Sequence, residues 1–380
     1  MTSKATMTST EIDDFDDALY TVVIQRDHAA VQAMLAQVDI HSPDLQQPLT
    51  SGFLEAAGRD ASIAKLFLDA NFDVNARDED GNTALMVAAR GEDTYVFDSF
   101  SDHEGDECDP LCERQQHPDL QIEFIESLHN VEQLLAHGAA VDAANHTGST
   151  ALLQAVTASG QPDIVRLLVQ AKCNVVAIDD KGCMALHHAA LRGQAENVRL
   201  LLTVHDPQDL QVTTADGDSV LYLACTSGNV DVVNLVMASS AHLHVDAANE
   251  DLQTPLMTAV IFESLEIVQR LIQAHADVTM KDSFGMTALH HAVYSGANID
   301  IVACLVDAKS DINNTCVDDM ANTILHDAVT GSSLEVVAYL VKSGAAVDAV
   351  NGEGKTAAML AHEVGRQDMV EFFESLAATP

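Results

Sequence analysis

The chain has 380 residues, enough for one large hydrophobic core or two to three ordinary ones. Hydrophobic residues make up 47% but aromatic residues only 4%, so the apolar fraction is mainly aliphatic, which favours closely packed helices. With 18 Lys and Arg against 58 Asp and Glu, the net charge of −40 repels phosphate backbones and anionic lipids. We therefore expect neither nucleic-acid nor membrane-surface binding.

Residues 1–14 are polar and acidic, lack the apolar stretch of a signal peptide, and are predicted to be disordered. No uninterrupted apolar run reaches ~18 residues, the length that a membrane-spanning helix needs. Seven scattered cysteines do not resemble the dense disulfide framework of a small secreted domain. These features predict an intracellular protein, cytoplasmic or nuclear, and leave non-classical secretion open.

A short motif recurs along the chain and indicates a repeat architecture. Its copies begin at Thr83, Thr150, Met184, Ser219, Thr254, Thr287, Thr323 and Thr356. From Thr150 onward the copies lie 33 to 36 residues apart, whereas the first gap of 67 residues holds one period and an insertion. A Gly two residues before most copies predicts a turn, and the Thr or Ser hydroxyl is placed to cap a first helix. An apolar stripe in each unit predicts a second helix.

These units resemble the ankyrin-repeat family, whose repeat of roughly 33 residues carries a TPLHxA signature, similar to TPLMTA from Thr254 and TALHHA from Thr287. The resemblance implies one elongated all-α solenoid of nine or ten stacked helix-turn-helix units with projecting β-turns. The predicted boundaries are an N-terminal cap at 15–46, repeats at 48–351, a polar-faced C-terminal cap at 352–376, and a tail at 377–380. Leu252 and Ala321 replace the turn Gly, which predicts looser turns there.

The patterns that look catalytic fit the repeat better. Ser219 follows Gly-Asp but occupies the helix-capping position, and a calcium loop at Gly81 would place Ala76 and Val87 where carboxylates are needed. No nucleotide-binding or zinc-protease motif occurs. We therefore expect no enzyme activity and no cofactor, and keep an enzyme of unrecognised type only as a lower alternative.

Five histidines occur at two fixed positions of the repeated motif. The resemblance implies that the imidazoles at the signature position, those of His187, His290 and His326, stabilise turns and link repeats through hydrogen bonds. His188 and His291 come directly after two of them. We expect these two to be hydrogen-bonded polar side chains, with pH-sensitive packing as the alternative.

The insertion, residues 92–121, is acidic and poorly periodic, which predicts a loop. Within it, His103, Cys108, Cys112 and His117 provide four ligands of the kinds that bind zinc, although their spacing matches no standard zinc finger. The main interpretation is a loop without metal. A metal-responsive regulator that uses this loop is the alternative function.

Asn75 and Asn313 lie in D-V-N and D-I-N segments like those that asparaginyl hydroxylases modify in some members of the family. Most such residues only form turns, and that is the expectation here. Whether either side chain is hydroxylated is left open.

The resemblance implies that a partner contacts the residues beside the turn Gly and those after the first helix. In the seventh and eighth repeats these are Ile261, Phe262, Phe284, Met286 and Tyr294, whereas the fifth and sixth repeats carry mostly polar residues there. We predict that these five side chains bind a protein partner and that the acidic chain favours a basic one. Partial burial of Ile261 and Phe262 under a neighbouring repeat is the alternative. The predicted function is a non-catalytic, monomeric scaffold or adaptor.

Overall fold

The structure is a computed structural model, which describes residues 8–91, 118–239, 243–315 and 321–377, the side chains of 118–124 and 159 excepted. Across these residues the chain forms twenty α-helices in ten consecutive pairs and no β-strand. Isolated antiparallel bridges, such as Ile178 with Met184, close several of the turns between pairs. The predicted all-α fold of nine or ten helix-turn-helix units is confirmed.

The pairs, numbered here as repeats 1 to 10, are α1 (Ser9–Ile24) and α2 (His28–Gln37), α3 (Gln46–Arg59) and α4 (Ala61–Asp69), α5 (Ala84–Arg90) and α6 (Pro118–Ala136), α7 (Ala151–Gln154) and α8 (Pro162–Gln170), α9 (Ala185–Leu191) and α10 (Ala195–Leu202), α11 (Val220–Thr226) and α12 (Val230–Ser239), α13 (Pro255–Ile261) and α14 (Leu265–Gln273), α15 (Ala288–Tyr294) and α16 (Ile299–Asp307), α17 (Ile324–Gly331) and α18 (Leu334–Lys342), and α19 (Ala357–Glu363) and α20 (Gln367–Ala377). Helix α7 continues as one π-helical turn over Ala155–Ser159. Short 3-10 turns lie at Pro43–Leu45 and Asp209–Gln211.

The chain divides into two compact units. The first comprises Met1–Ala189 with Arg199–His205, and the second comprises Ala190–Val198 with Asp206–Pro380. In the first unit, α1, α3 and α5 pack in succession, and in the second α11, α13, α15, α17 and α19 do so. Within each unit, these first helices thereby bury apolar surface against their neighbours, as a stacked array requires. A single continuous solenoid over 15–376 stays a prediction.

Both units have cores built mainly of buried aliphatic side chains. In the first, Phe53, Phe67 and Phe72 form an aromatic cluster with ring centroids 5.5 to 6.1 Å apart. In the second, fully buried aliphatic side chains such as Ile267 and Leu271 fill the space between helices. Close packing of this kind explains how a chain without Trp builds its core.

The first helices begin where the repeated hydroxyl predicts. The Ser219 hydroxyl accepts a hydrogen bond from the Tyr222 N–H at 3.1 Å, and the Thr254 hydroxyl accepts one from the Met257 N–H at 3.3 Å. Thr150, Thr287 and Thr356 cap their helices in the same way. Each bond satisfies a helix N–H that has no partner within the helix, so the predicted capping role is confirmed at these five positions, whereas the Thr83 side chain makes no capping bond.

The turn at Leu252 is not looser than the others. Leu252 has a φ of 59°, close to the 74° of Gly148 at the same position. The Leu252 N–H donates to the Asn249 carbonyl at 2.9 Å, and the Gly148 N–H donates to the Asn145 carbonyl at 3.0 Å. Leu252 therefore keeps the left-handed conformation that Gly adopts without steric cost, and the prediction of a looser turn is wrong here. Ala321 also has a positive φ, of 42°.

Two predicted boundaries need correction. Helix α1 begins at Ser9, inside the stretch 1–14 predicted as disordered, because Thr8 and Glu11 cap it reciprocally: the Thr8 N–H donates to a Glu11 carboxylate oxygen at 2.8 Å, and the Glu11 N–H to the Thr8 hydroxyl at 3.4 Å. Helix α6 begins at Pro118, inside the predicted loop 92–121. The remainder of the insertion, with His103, Cys108, Cys112 and His117, lies outside the described residues.

The last repeat is only partly the polar-faced cap that the sequence predicts. Arg366 turns inward, and its guanidinium donates to the Ser332 carbonyl at 3.1 Å, which ties α20 to the repeat before it. A groove of about 530 Å³ lies on the same repeat and is lined partly by Met359, Val370 and Phe373. This repeat therefore presents apolar as well as polar groups.

Candidate protein-binding surface

The five predicted partner-contacting residues all belong to the second unit and to two adjacent repeats. Ile261 ends α13 and Phe262 caps it, whereas Tyr294 ends α15. Phe284 and Met286 flank Gly285 in the turn before α15. We call this set the repeat 7–8 surface.

Four of these five side chains are exposed. Phe284 and Tyr294 expose 69% and 68% of their surface, Phe262 exposes 54% and Ile261 37%, whereas Met286 is half-buried. The alternative for Ile261 and Phe262 was partial burial. Ile261 is nearly two-thirds buried, whereas Phe262 keeps more than half of its surface in solvent. Large apolar groups exposed on adjacent repeats are typical of an interaction surface.

Hydrogen bonds fix the turn that carries Phe284. One carboxylate oxygen of Asp282 accepts from the Phe284 N–H at 2.9 Å and from the Met286 N–H at 2.8 Å. The Ser283 N–H donates to the Asp251 carbonyl at 2.9 Å, which joins this turn to the turn of repeat 7. The aromatic side chain is thus presented by a preorganised backbone, which reduces the entropy lost on binding.

The sequence analysis missed Leu252 as a contributor to this surface. Leu252 exposes 51% of its surface in the turn of repeat 7, which is hydrogen-bonded to the turn that carries Phe284. An apolar residue at the position of the turn Gly is a sign of such a contribution that the sequence does contain. In the sequence analysis it indicates only a departure from the family pattern.

Acidic residues are the sequence neighbours of two of the apolar ones. Glu250, Asp251 and Glu263 are exposed beside Leu252 and Phe262 in the chain. Lys281 is a nearby cation, and its ammonium group donates to the Asn314 side chain at 2.8 Å. At the position of Phe284, directly before the turn Gly, repeats 5 and 6 carry exposed Lys181 and Asp216 instead of an aromatic residue.

His188 and His291 are hydrogen-bonded polar side chains, as expected, and each pairs with the carboxylate that braces its own turn. The His188 Nε2 lies 2.7 Å from Asp179, and the His291 Nε2 lies 2.8 Å from Asp282. Burial alone would raise the pKa of Asp179, but hydrogen bonds from His188 and from the Cys183 N–H outweigh it and lower the pKa. These pairs hold α9 and α15 against their turns.

The signature histidines are buried and structural, as predicted. His290 and His326 are fully buried, and the Nδ1 of each accepts a hydrogen bond from the backbone N–H of the capping threonine, Thr287 or Thr323. The Nε2 of His326 lies 2.9 Å from the Lys355 carbonyl and so links repeats 9 and 10. Burial lowers the pKa of both imidazoles, for His290 to about 4.

Asn75 and Asn313 do more than form their own turns, because the side chain of each connects two successive repeats. The Asn75 side-chain oxygen accepts from the Ala140 N–H at 2.7 Å, and the Asn313 oxygen accepts from the Ala346 N–H at 2.8 Å. The hydroxylation of either residue stays an open prediction.

The comparisons with known proteins follow this geometry. The sequence profile of ankyrin repeats, built from three copies of the repeat, matches residues 122–213, 186–282, 239–316 and 256–351, which together span more than half of the chain. The chain belongs to the ankyrin-repeat family. Ankyrin repeats imply protein–protein interaction, and their fold is typical of non-catalytic scaffolds. None of the helices in the described part of the chain has the length and hydrophobicity to cross a bilayer.

Three similar proteins illustrate the relationship. The E3 ubiquitin-protein ligase KEG of Arabidopsis thaliana is 25% identical over 367 residues, covering 93% of this chain and 21% of that protein. The ankyrin repeat and KH domain-containing protein mask-1 of Caenorhabditis elegans is 30% identical over 322 residues, covering 81% of this chain and 12% of that protein. The crystal structure of the human ASB11 ankyrin repeat domain is similar with a TM-score of 0.48 and 20% identity, covering 63% of this chain and 99% of that one. The chain thus spans only 21% and 12% of the length of these two curated relatives.

Proposed function

We propose that this protein is a non-catalytic, monomeric, intracellular scaffold or adaptor that binds a basic protein segment on the repeat 7–8 surface. The observation that carries the proposal is the exposure of Phe262, Phe284 and Tyr294, each more than half in solvent, on two adjacent repeats. Aromatic anchors of this kind dominate binding energy in protein interfaces.

The apolar groups supply affinity. A Phe side chain that passes from half exposure to full burial removes apolar surface from water, and each such group is worth about 1 to 2 kcal/mol. The turns that present Leu252 and Phe284 are joined by a backbone hydrogen bond of 2.9 Å, so little backbone ordering opposes this gain.

The charges favour a basic segment. The chain carries a net charge of −40, and the residues next to the apolar groups include Glu250, Asp251 and Glu263. A ligand with Lys or Arg beside its apolar anchors is attracted before contact and pairs with these carboxylates at the rim. An acidic ligand is repelled.

The test uses peptides of defined sequence. Peptides are selected from a random display library on the full chain, synthesised with a fluorophore, and measured by anisotropy against the full chain at low and high salt. Phe262→Ser/Phe284→Ser is the test variant. Ile178→Ser/Val350→Ser is the matched control, because these two side chains are similarly exposed, at 53% and 58%, in other repeats.

We expect the selected peptides to combine Lys or Arg with large apolar residues and to bind more weakly at high salt. The test variant should lose at least about tenfold in affinity, since it removes two central anchors. The control variant should bind as the unaltered chain does. Equal binding by the test variant, with helical content unchanged in all three chains, would refute the assignment of this surface.

A further inference from the structure

Three side chains of different chemistry meet at the turn of repeat 5. Asp179 and Cys183 stand at the two ends of the turn, and His188 lies in the second turn of α9. One ligand atom from each, a carboxylate oxygen, the sulfur and an imidazole nitrogen, lie within 4.8 Å of one another. All three residues are half-buried, so the group is shielded yet accessible to solvent.

The backbone holds this group in place. The bridge between Ile178 and Met184 closes the turn, and the Asp179 N–H donates to the Cys183 carbonyl at 3.1 Å. One carboxylate oxygen of Asp179 accepts from the Lys181 and Cys183 N–H groups at 3.0 and 2.9 Å. That engagement leaves the other oxygen, Oδ2, directed at the His188 Nε2, 2.7 Å away. A carboxylate anchored through one oxygen, with its other oxygen facing an imidazole nitrogen, is preorganised as a monodentate ligand.

We propose that Asp179, Cys183 and His188 form a binding site for Zn²⁺. A thiolate, an imidazole and a carboxylate together suit a borderline metal and not the hard cations Ca²⁺ and Mg²⁺, which take oxygen ligands. Three protein ligands leave one tetrahedral position for water or for a ligand from a binding partner. On binding, the Cys183 thiol loses its proton to solvent, and the His188 imidazole binds through Nε2 as the neutral tautomer that carries its proton on Nδ1.

The distances require only small side-chain movements. Ligand atoms about 2.0 to 2.3 Å from a tetrahedral zinc ion are roughly 3.3 to 3.7 Å apart. The separation of the His188 and Asp179 ligand atoms must therefore widen from 2.7 Å, while any ligand pair near the upper limit of 4.8 Å must approach. These adjustments fall to the Cys183 and His188 side chains, because the bonds from the Lys181 and Cys183 N–H groups hold Asp179 in the turn.

Repeat 8 provides an internal control. Asp282 braces its turn through the same two backbone bonds, at 2.9 and 2.8 Å, and pairs with His291 at 2.8 Å. The difference lies at the third ligand, where Met286 occupies the position of Cys183. Because a thioether is neutral and a poor zinc ligand, repeat 8 has the same frame without the thiolate.

The other described thiols are poorer ligands. Burial raises the pKa of Cys173 to about 12 and raises that of Cys225 further, and burial also raises the pKa of Cys304. A thiol must lose its proton to bind zinc, so these three are disfavoured. Cys183 is half-buried and has an imidazole and a carboxylate as neighbours.

The test titrates the full chain, stripped with chelator, with Co²⁺ as a coloured substitute for zinc. Binding through a thiolate gives a sulfur-to-cobalt charge-transfer band, and Zn²⁺ added afterwards should abolish that band. All chains carry Cys108→Ser/Cys112→Ser, which removes the thiols of the insertion. Against this background the comparisons are Cys183→Ser and Met286→Cys, with helical content checked by circular dichroism.

We expect one equivalent of cobalt with the charge-transfer band in the background chain, complete loss of the band in Cys183→Ser, and a doubled band in Met286→Cys. The doubling is a gain of signal, and it counts only where circular dichroism shows unchanged helical content. A background chain without the band would overturn the proposal, as would a band that persists at full strength in Cys183→Ser.

Discussion

Acid should destabilise the second unit through His290. This imidazole is fully buried, and its Nδ1 accepts the Thr287 N–H at 3.1 Å, a bond that only the form unprotonated at Nδ1 can make. Burial is the main cause that lowers the pKa of His290 to about 4, and Lys281 and His291 lower it further. A hydrogen bond to the Asn314 backbone and the charge of Asp282 both raise the pKa of His290, but by less than burial lowers it.

The sign and size of the effect follow from these pKa values. Between 6.5, where an exposed His titrates, and about 4, the unfolded chain binds a proton that folded His290 does not. The stability due to neutral His290 is therefore complete above the unfolded pKa, declines as the pH falls, and is lost below the folded pKa. The whole effect is about 3 kcal/mol, of which about 2 kcal/mol is lost between about pH 7 and pH 5.

The assay is urea unfolding followed by far-ultraviolet circular dichroism at these two pH values, for the unaltered chain and for His290→Gln. Gln at this helix position preserves the reciprocal cap with Thr287 but does not titrate, so it is a matched control. We expect the unaltered chain to lose about 2 kcal/mol more than His290→Gln on acidification. Equal losses in the two chains would refute the reasoning.

Two further substitutions test the packing of the separate units. Phe67→Ala removes a fully buried ring of the aromatic cluster with Phe53 and Phe72, and we expect urea unfolding to show a loss of about 3 to 5 kcal/mol, against less than about 0.5 kcal/mol for the exposed control Phe262→Ala. A loss at Phe67 no larger than that of the control would mean that the cluster is not part of the core. Gly331→Ala would place a methyl group 2.6 Å from the Tyr294 carbonyl oxygen, and we expect a loss of at least about 1 to 3 kcal/mol in thermal or urea unfolding. Unchanged stability would show that α15 and α17 are not packed as closely as the structure places them.

The fold was largely readable from the sequence because its signals are local. The hydroxyl of Thr254 bonds within its own helical turn, to the N–H of Met257, and the turn before it closes within a few residues. Repetition makes the prediction stronger, because the helices of a degenerate copy can be predicted by aligning it with the other copies. The start of α1 was misplaced because its cap, Thr8 with Glu11, occurs once and follows no repeat.

The candidate surface was predictable in position but not in exposure. The repeat frame placed Phe262 and Phe284 beside one another on neighbouring repeats, yet only the packed structure shows that they expose 54% and 69% of their surface. The solvent exposure of a residue depends on which side chains of the neighbouring repeat pack against it, and this packing is a feature of the tertiary structure. Leu252 was overlooked for the same reason.

The sequence by itself therefore determined the period, the helix pairs and the caps, which arise from interactions between residues only a few positions apart. The tertiary structure decided which side chains meet across a turn. Asp179 pairs with His188, nine residues away, because α9 folds back over the turn, and Cys183 joins them only through that fold. Read along the chain, the Cys was one of seven and the His one of seventeen. In space, they form a group of three with a defined geometry.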